Sequence, residues 1–219
     1  MPSSPPLPEI LYLHGFASSP GSSKARAFSE RLAPLGSRLV IPRLDGGDFA
    51  HLTLSRALAA LETAAEAFAG PYAVIGSSMG GYLALRHALR RQVRGVIAMA
   101  PALDFPTSFP RWATAEELTV WKETGWSEVD HHETGRKERL AYELIADART
   151  HAALTKAPSC PVLIFHGRKD DVVPCELSEA FARDNPHVRL QLFDDDHSLL
   201  ASVPTILDES VDFLAGLGG

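Results

Sequence analysis

Cysteine is scarce in this chain: Cys160 and Cys175 are the two cysteines in 219 residues. A secreted disulfide scaffold would carry more, and a chain of this length can bury a sizeable core without bridges, so two free thiols are expected. Long apolar runs are missing as well. No stretch approaches the ~18 residues of a membrane helix, which argues against stable membrane insertion. The first residues, MPSSPPLPE, lack the basic region and apolar run of a signal peptide, so a cytoplasmic location is the default expectation. An excess of positive charge is absent too. The formal net charge is −6, which gives no electrostatic reason to expect a nucleic-acid partner. The densest basic cluster, Arg86, Arg90, Arg91 and Arg94, falls at the end of an expected helix, where cations complement the carbonyl end and face solvent. Neither G-x-G-x-x-G nor G-x-x-x-x-G-K-[ST] occurs, which argues against nucleotide chemistry. His131-His132 has no matched Cys/His/Asp set at a metal spacing, so neither a metal nor another cofactor is expected.

What is present is an alternation of short apolar runs with helix-compatible segments. Strands are expected at Ile10–Leu13, Arg38–Ile41, Tyr72–Ile75, Gly95–Ala100, Pro161–Phe165 and Val188–Phe193. Helices are expected at Lys24–Leu35, Leu54–Phe68, Met79–Leu89 and Arg136–Ala146, from Pro174 to near Asn185, and after His197 to Leu214. Near-continuous apolar strands suit a parallel sheet covered on both faces, which predicts a single α/β domain over residues 1–219. After Pro101 the rhythm breaks. Leu103 to about Gly135 is too long for an ordinary connection and reads as a cap or lid inserted at about 103–135.

The chemistry concentrates at Gly76-Ser77-Ser78-Met79-Gly80. An apolar strand ends just before it and a helix starts just after, the setting that gives G-x-S-x-G its meaning. A serine on so sharp a turn has its hydroxyl held clear of the backbone at a helix N-terminus. Serine at its ordinary pKa is a weak nucleophile and needs a base, and the base needs an orienting acid. Downstream, Asp170 and Asp171 follow one strand and His197 follows the last. All lie at the carboxyl ends of strands, on the same sheet edge as Ser78. Spacing alone leaves Asp170 and Asp171 as alternatives for the acid.

The ordered set LHGFASSPGSSKA (from Leu13), GSSMGGY (from Gly76), HGRKDDVVP (from His166) and DDDHSL (outward from Asp195) resembles the α/β-hydrolase superfamily, and within it the small bacterial YqiA-like serine esterases. The resemblance covers nearly the whole chain and is weakest over 103–135. It implies an α/β-hydrolase fold, a mainly parallel sheet flanked by helices, with Ser78, Asp170 and His197 as catalytic triad. It also implies an oxyanion hole from the backbone N–H groups of Phe16 and Met79, with His14 and His166 in structural roles. The implied reaction is hydrolysis of a small-molecule carboxylic ester or thioester through an acyl-enzyme, without cofactor. Amide or carbon–carbon bond hydrolysis on the same triad, and a non-catalytic ligand-binding protein of the same fold, remain as alternatives. Dehalogenase and epoxide-hydrolase relatives carry Asp where this chain has Ser78. The aromatics of the insertion, Phe105, Phe109, Trp112, Trp121 and Trp126, are either the core of a cap or the wall of an acyl pocket, with Trp112 and Trp121 as substrate-binding candidates.

Overall fold

Four strands are buried along their whole length, which a strand tolerates only when both of its faces are covered. These are β1 (Ile10–Leu13), β3 (Ala73–Ser77), β4 (Gly95–Met99) and β7 (Val162–Gly167). The computed structural model describes residues 7–109 and 113–217. Two half-buried strands, β2 (Leu39–Val40) and β8 (Val188–Phe193), close the edges of a parallel sheet of order β2-β1-β3-β4-β7-β8.

Strand pleating sorts the core into two layers, because successive side chains point to opposite faces. Leu11, Leu13, Val74, Val96, Ala98, Val162 and Ile164 face one layer. Ile10, Tyr12, Ala73, Ile75, Ile97, Met99, Leu163 and Phe165 face the other. The first layer is covered by α2 (Leu54–Ala65), α3 (Met79–Ala88) and α7 (Cys175–Asp184), through residues such as Leu61, Tyr82 and Phe181. The second is covered by α1 (Ser23–Leu32) and α8 (Val203–Gly216), through Phe28, Leu32, Ile206 and Leu214. Burying a side chain such as Phe28 stabilises the fold by roughly 1.5–3 kcal/mol relative to exposure. Local signals set the helix starts: Ser22 and Thr53 accept first-turn N–H groups of α1 and α2.

Between β4 and β7 the chain leaves the sheet and builds a cap-like insertion. It contains the single turn α4 (Phe105–Ser108), α5 (Ala115–Thr124), an antiparallel hairpin of β5 (Trp126–His131) and β6 (Arg136–Ala141), and α6 (Glu143–Ala148). The hairpin corrects the expected helix over Arg136–Ala146, of which only the last residues fall in α6. Arg136-Lys137-Glu138-Arg139 has helix-compatible composition, but its stability comes from the partner strand. Asp130 pairs with Lys137 at 3.4 Å, and the Arg139 guanidinium lies over the Trp126 ring at 4.3 Å. Both cysteines are free.

Candidate active site

The turn from β3 to α3 is strained in the way that exposes a serine. Ser78 has φ +54° and ψ −117°, a region non-glycine residues adopt at a cost of about 1–3 kcal/mol. Its neighbours hold it there. The Ser78 N–H donates to the Met99 carbonyl at 2.9 Å, and the Ser78 carbonyl accepts from Gly81, Tyr82 and Ala102. The flanking glycines are required by proximity: a Cβ on Gly76 would collide with the Gly80 carbonyl, and one on Gly80 with the carbonyl of Leu13. The elbow is thus wedged against the end of β1. The loop after β1 passes beside it, so that a Cβ on Gly15 would lie 3.5 Å from the Ser78 Cβ.

The loop after β7 carries both candidate acids, Asp170 and Asp171. Asp170 has a fully buried side chain, and its Oδ1 accepts the N–H groups of Val172 (3.0 Å) and Val173 (2.7 Å). Its Oδ2 accepts from two histidines, His197 Nδ1 at 2.7 Å and His166 Nε2 at 3.0 Å. Burial opposes ionisation, yet the hydrogen bonds from His166, His197 and Val173 outweigh it and hold the carboxyl well below the usual carboxylate range. Asp171, the alternative acid, is exposed at the rim of the cleft.

His197 follows β8. Because the Asp170 carboxylate only accepts, Nδ1 of His197 carries the proton and Nε2 is left to accept from the Ser78 hydroxyl, at 3.1 Å. The loop that carries it is held close to the acid loop. The Lys169 N–H donates to the Asp195 carbonyl at 2.9 Å, and a Cβ on Gly167 would overlap that carbonyl. Asp195 in turn accepts from Asp196 N, Ser202 N and Ser202 Oγ, which ties the loop to the start of α8.

Of the other residues singled out from sequence, Met79 opens α3, where first-turn N–H groups have no partner within the helix. Phe16 lies on the cleft wall, with its ring packed on Phe49, Phe105 and Phe109. His14 is buried and bridges backbone: Nδ1–H donates to the Gly15 carbonyl and Nε2 accepts from Leu44. Burial pulls its pKa down, in keeping with a neutral ring. His166 is wholly buried, donating Nε2–H to Asp170 and to the Val173 carbonyl while Nδ1 accepts from Ser178. Trp121 is brought into the interior of the cap. It is 5% exposed, its indole N–H donates to the Leu140 carbonyl at 2.9 Å, and it is absent from the described cleft wall. Trp112 lies outside the described residues.

Ser78 and His197 open onto a cleft of about 920 Å³. Its wall mixes apolar side chains such as Phe16 and Leu200 with polar ones: Ser19, Ser22, Lys24 and Arg26 from the start of α1 and its approach, and His132 and Glu133 from the hairpin tip. The hairpin docks on the loop after β1: the His132 N–H donates to the Ala17 carbonyl at 2.9 Å, and Ala17 itself sits at φ +51°. Sequence patterning carries no sign of this docking, since the hairpin has no periodicity of its own. Lys24 belongs to the LHGFASSPGSSKA stretch and is the one cleft residue there whose charge is turned toward the His197 loop. Among the described residues, no three or more His, Cys, Asp or Glu side chains group to hold a metal ion, and no helix is long and apolar enough to cross a membrane.

Comparison with known proteins gives relatives along most of the chain. The mouse palmitoyl-protein thioesterase ABHD10, mitochondrial, is 26% identical over 228 residues, covering 92% of this chain and 76% of the mouse protein. Its human counterpart is 29% identical over 185 residues, covering 78% of this chain and 60% of the human protein. Among solved structures, mouse alpha/beta hydrolase domain-containing protein 10 superposes with a TM-score of 0.80 at 26% identity, covering 96% of this chain and 90% of that one. Est1E from Butyrivibrio proteoclasticus shares the fold, with a TM-score of 0.76 at 23% identity and coverage of 98% and 90%. The family model described as Uncharacterised protein family (UPF0227) matches residues 9–215, and the chain belongs to that family, within the α/β-hydrolase superfamily.

Proposed function

We propose that this chain hydrolyses small-molecule carboxylic esters and thioesters, with Ser78 as nucleophile, His197 as general base and acid, and Asp170 as the orienting carboxylate. The observation that carries the reading is the unbroken chain of hydrogen bonds from Ser78 Oγ through His197 to Asp170, opening on a cleft. The mouse relative's description as a thioesterase supports including thioesters beside oxygen esters.

In this mechanism Ser78 Oγ attacks the acyl carbon and its proton passes to His197 Nε2. Asp170 keeps Nδ1 protonated and stabilises the imidazolium. The negative charge on the former carbonyl oxygen is met by the N–H groups of Phe16 and Met79, aided by the N-terminus of α3. The bond to the leaving alcohol or thiol breaks as His197 returns the proton to it. Water, deprotonated by the same nitrogen, then attacks the acyl-enzyme and frees Ser78.

Labelling with a fluorophosphonate probe tests the reading directly. Stoichiometric phosphonylation mapped to Ser78, and its loss together with ester turnover in folded Ser78→Ala, are the expected results. An adduct on Ser77, or turnover retained without Ser78, overturns the assignment. Turnover of p-nitrophenyl esters and acyl thioesters of graded length then defines the substrate range.

A further inference from the structure

The first helix and the last catalytic loop meet through one side chain. Lys24 lies in the first turn of α1, and its Nζ donates to the carbonyl of Ser198 at 2.6 Å. Ser198 directly follows His197, and the two groups are 174 positions apart in sequence. The ammonium is set in a negative surround of Asp196, Asp170 and Asp195, and burial pulls its pKa down while these carboxylates oppose the shift.

The loop it touches needs holding. Leu199 sits at φ +54°, a conformation unfavourable for a branched side chain. Apart from the bond of His197 to Ser78 and the buried Leu199 side chain, the other ties of this loop come from its own residues, from Ser202 or from the β7 loop. Asp196 accepts from Ser198 N and Oγ, Asp195 accepts from Ser202, and Lys169 N–H reaches the Asp195 carbonyl. The β7 loop also presents the acid, so these contacts fix His197 against Asp170. The distance to Ser78 is left to the buried Leu199 side chain and to contacts from the α1 side. Lys24 approaches from the α1 side and lines the same cleft as Ser78 and His197.

We propose that Lys24 is a positioning residue: by anchoring the Ser198 carbonyl it keeps the His197 imidazole in line between Asp170 and the Ser78 hydroxyl. This role rests on the hydrolase reading above. Lys24 is not assigned to the substrate, because its ammonium is already directed at a backbone carbonyl and surrounded by carboxylates. Misplacing a reacting group by about 1 Å costs on the order of 10²-fold in rate.

The test uses the full chain with Lys24→Met, Lys24→Gln and Lys24→Arg. Met removes tether and charge, Gln keeps a hydrogen-bond donor, and Arg keeps donor and charge. For neutral p-nitrophenyl butyrate, Lys24→Met should lose about 10²-fold in kcat with KM changed only a few-fold, and Ser78 phosphonylation should slow in parallel. Lys24→Gln and Lys24→Arg should recover part of that loss, and both serve where Lys24→Met does not fold. A fall in thermal stability without the kcat loss makes Lys24 a purely structural residue and overturns the proposal. A loss confined to anionic substrates and seen in KM overturns it in favour of substrate binding. Wild-type protein inert to the fluorophosphonate overturns the hydrolase reading itself, whereas an active wild type with unaltered variants overturns the positioning role alone.

Discussion

At the scale of single residues, Asp170 and Asp171 are neighbours in sequence with opposite surroundings. Asp170 accepts two backbone N–H groups and two histidines in a buried pocket, while Asp171 faces solvent at the cleft rim. Asp170→Asn is therefore expected to lower kcat by about 10³- to 10⁴-fold, by analogy with other triads, and Asp171→Asn to leave it within a few-fold. Steady-state kinetics on one ester checks both, and the reverse ranking removes Asp170 from the triad. The same hydrogen bonds predict a pH dependence of stability. A carboxyl held below its ordinary value in the folded chain binds its proton more weakly there than in the unfolded chain. Its stabilisation is present above the unfolded carboxylate pKa of about 3.9 and declines as pH falls from there toward the folded value. Urea unfolding of wild type and Asp170→Asn at pH 7, 4 and 3 should show their stability difference shrinking on acidification. A difference constant over that range contradicts the assignment.

At the scale of elements, the cap is where sequence and structure part. The sheet strands are legible because a buried parallel strand is apolar at nearly every position, and the G-x-S-x-G turn because its glycines answer a backbone collision at Gly76 and Gly80. The order of the proposed triad, Ser78, Asp170 and His197, is legible because each of them follows a strand. The hairpin β5–β6 is not, because Arg136–Ala141 takes its conformation from a partner strand, and its outward charges satisfy a helix pattern equally well. Trp121 joins these halves of the cap: it stands on α5, bonds the Leu140 carbonyl of β6, and packs edge-on to Tyr142 at 6.2 Å. Trp121→Ala should thus act through cap stability, costing about 3–5 kcal/mol, and should reduce turnover of acetate, butyrate and octanoate esters alike. A selective loss on the longest ester, with thermal stability intact, would instead make Trp121 part of an acyl pocket.

At the scale of the whole molecule, the candidate site is a meeting of distant segments. Ser78, Asp170 and His197 stand after β3, β7 and β8, and the docked hairpin tip adds His132 and Glu133 from the cap. Strand order is what sequence alone leaves open, since it is set by which strand faces can be covered together. The relation of Lys24 to Ser198 depends on that order too, as α1 and α8 share one face of the sheet.

The strand order β3-β4-β7-β8 has a consequence for how the chain comes into being. Synthesis runs from the N-terminus, and domains fold as their residues emerge. In the proposed triad the nucleophile is Ser78, and its acid and base, Asp170 and His197, follow far later in the chain, His197 by 119 positions. On that proposal Ser78 has until then neither proton acceptor nor oriented imidazole, so a ribosome-bound chain should be unreactive toward acyl thioesters. Reactivity toward a fluorophosphonate is then expected to switch on only when β8 has joined the sheet edge. Ribosome-stalled chains ending at residue 150 should remain unlabelled, and chains extended through residue 219 and tethered by a linker should label, so that the probe reads the completion of this fold.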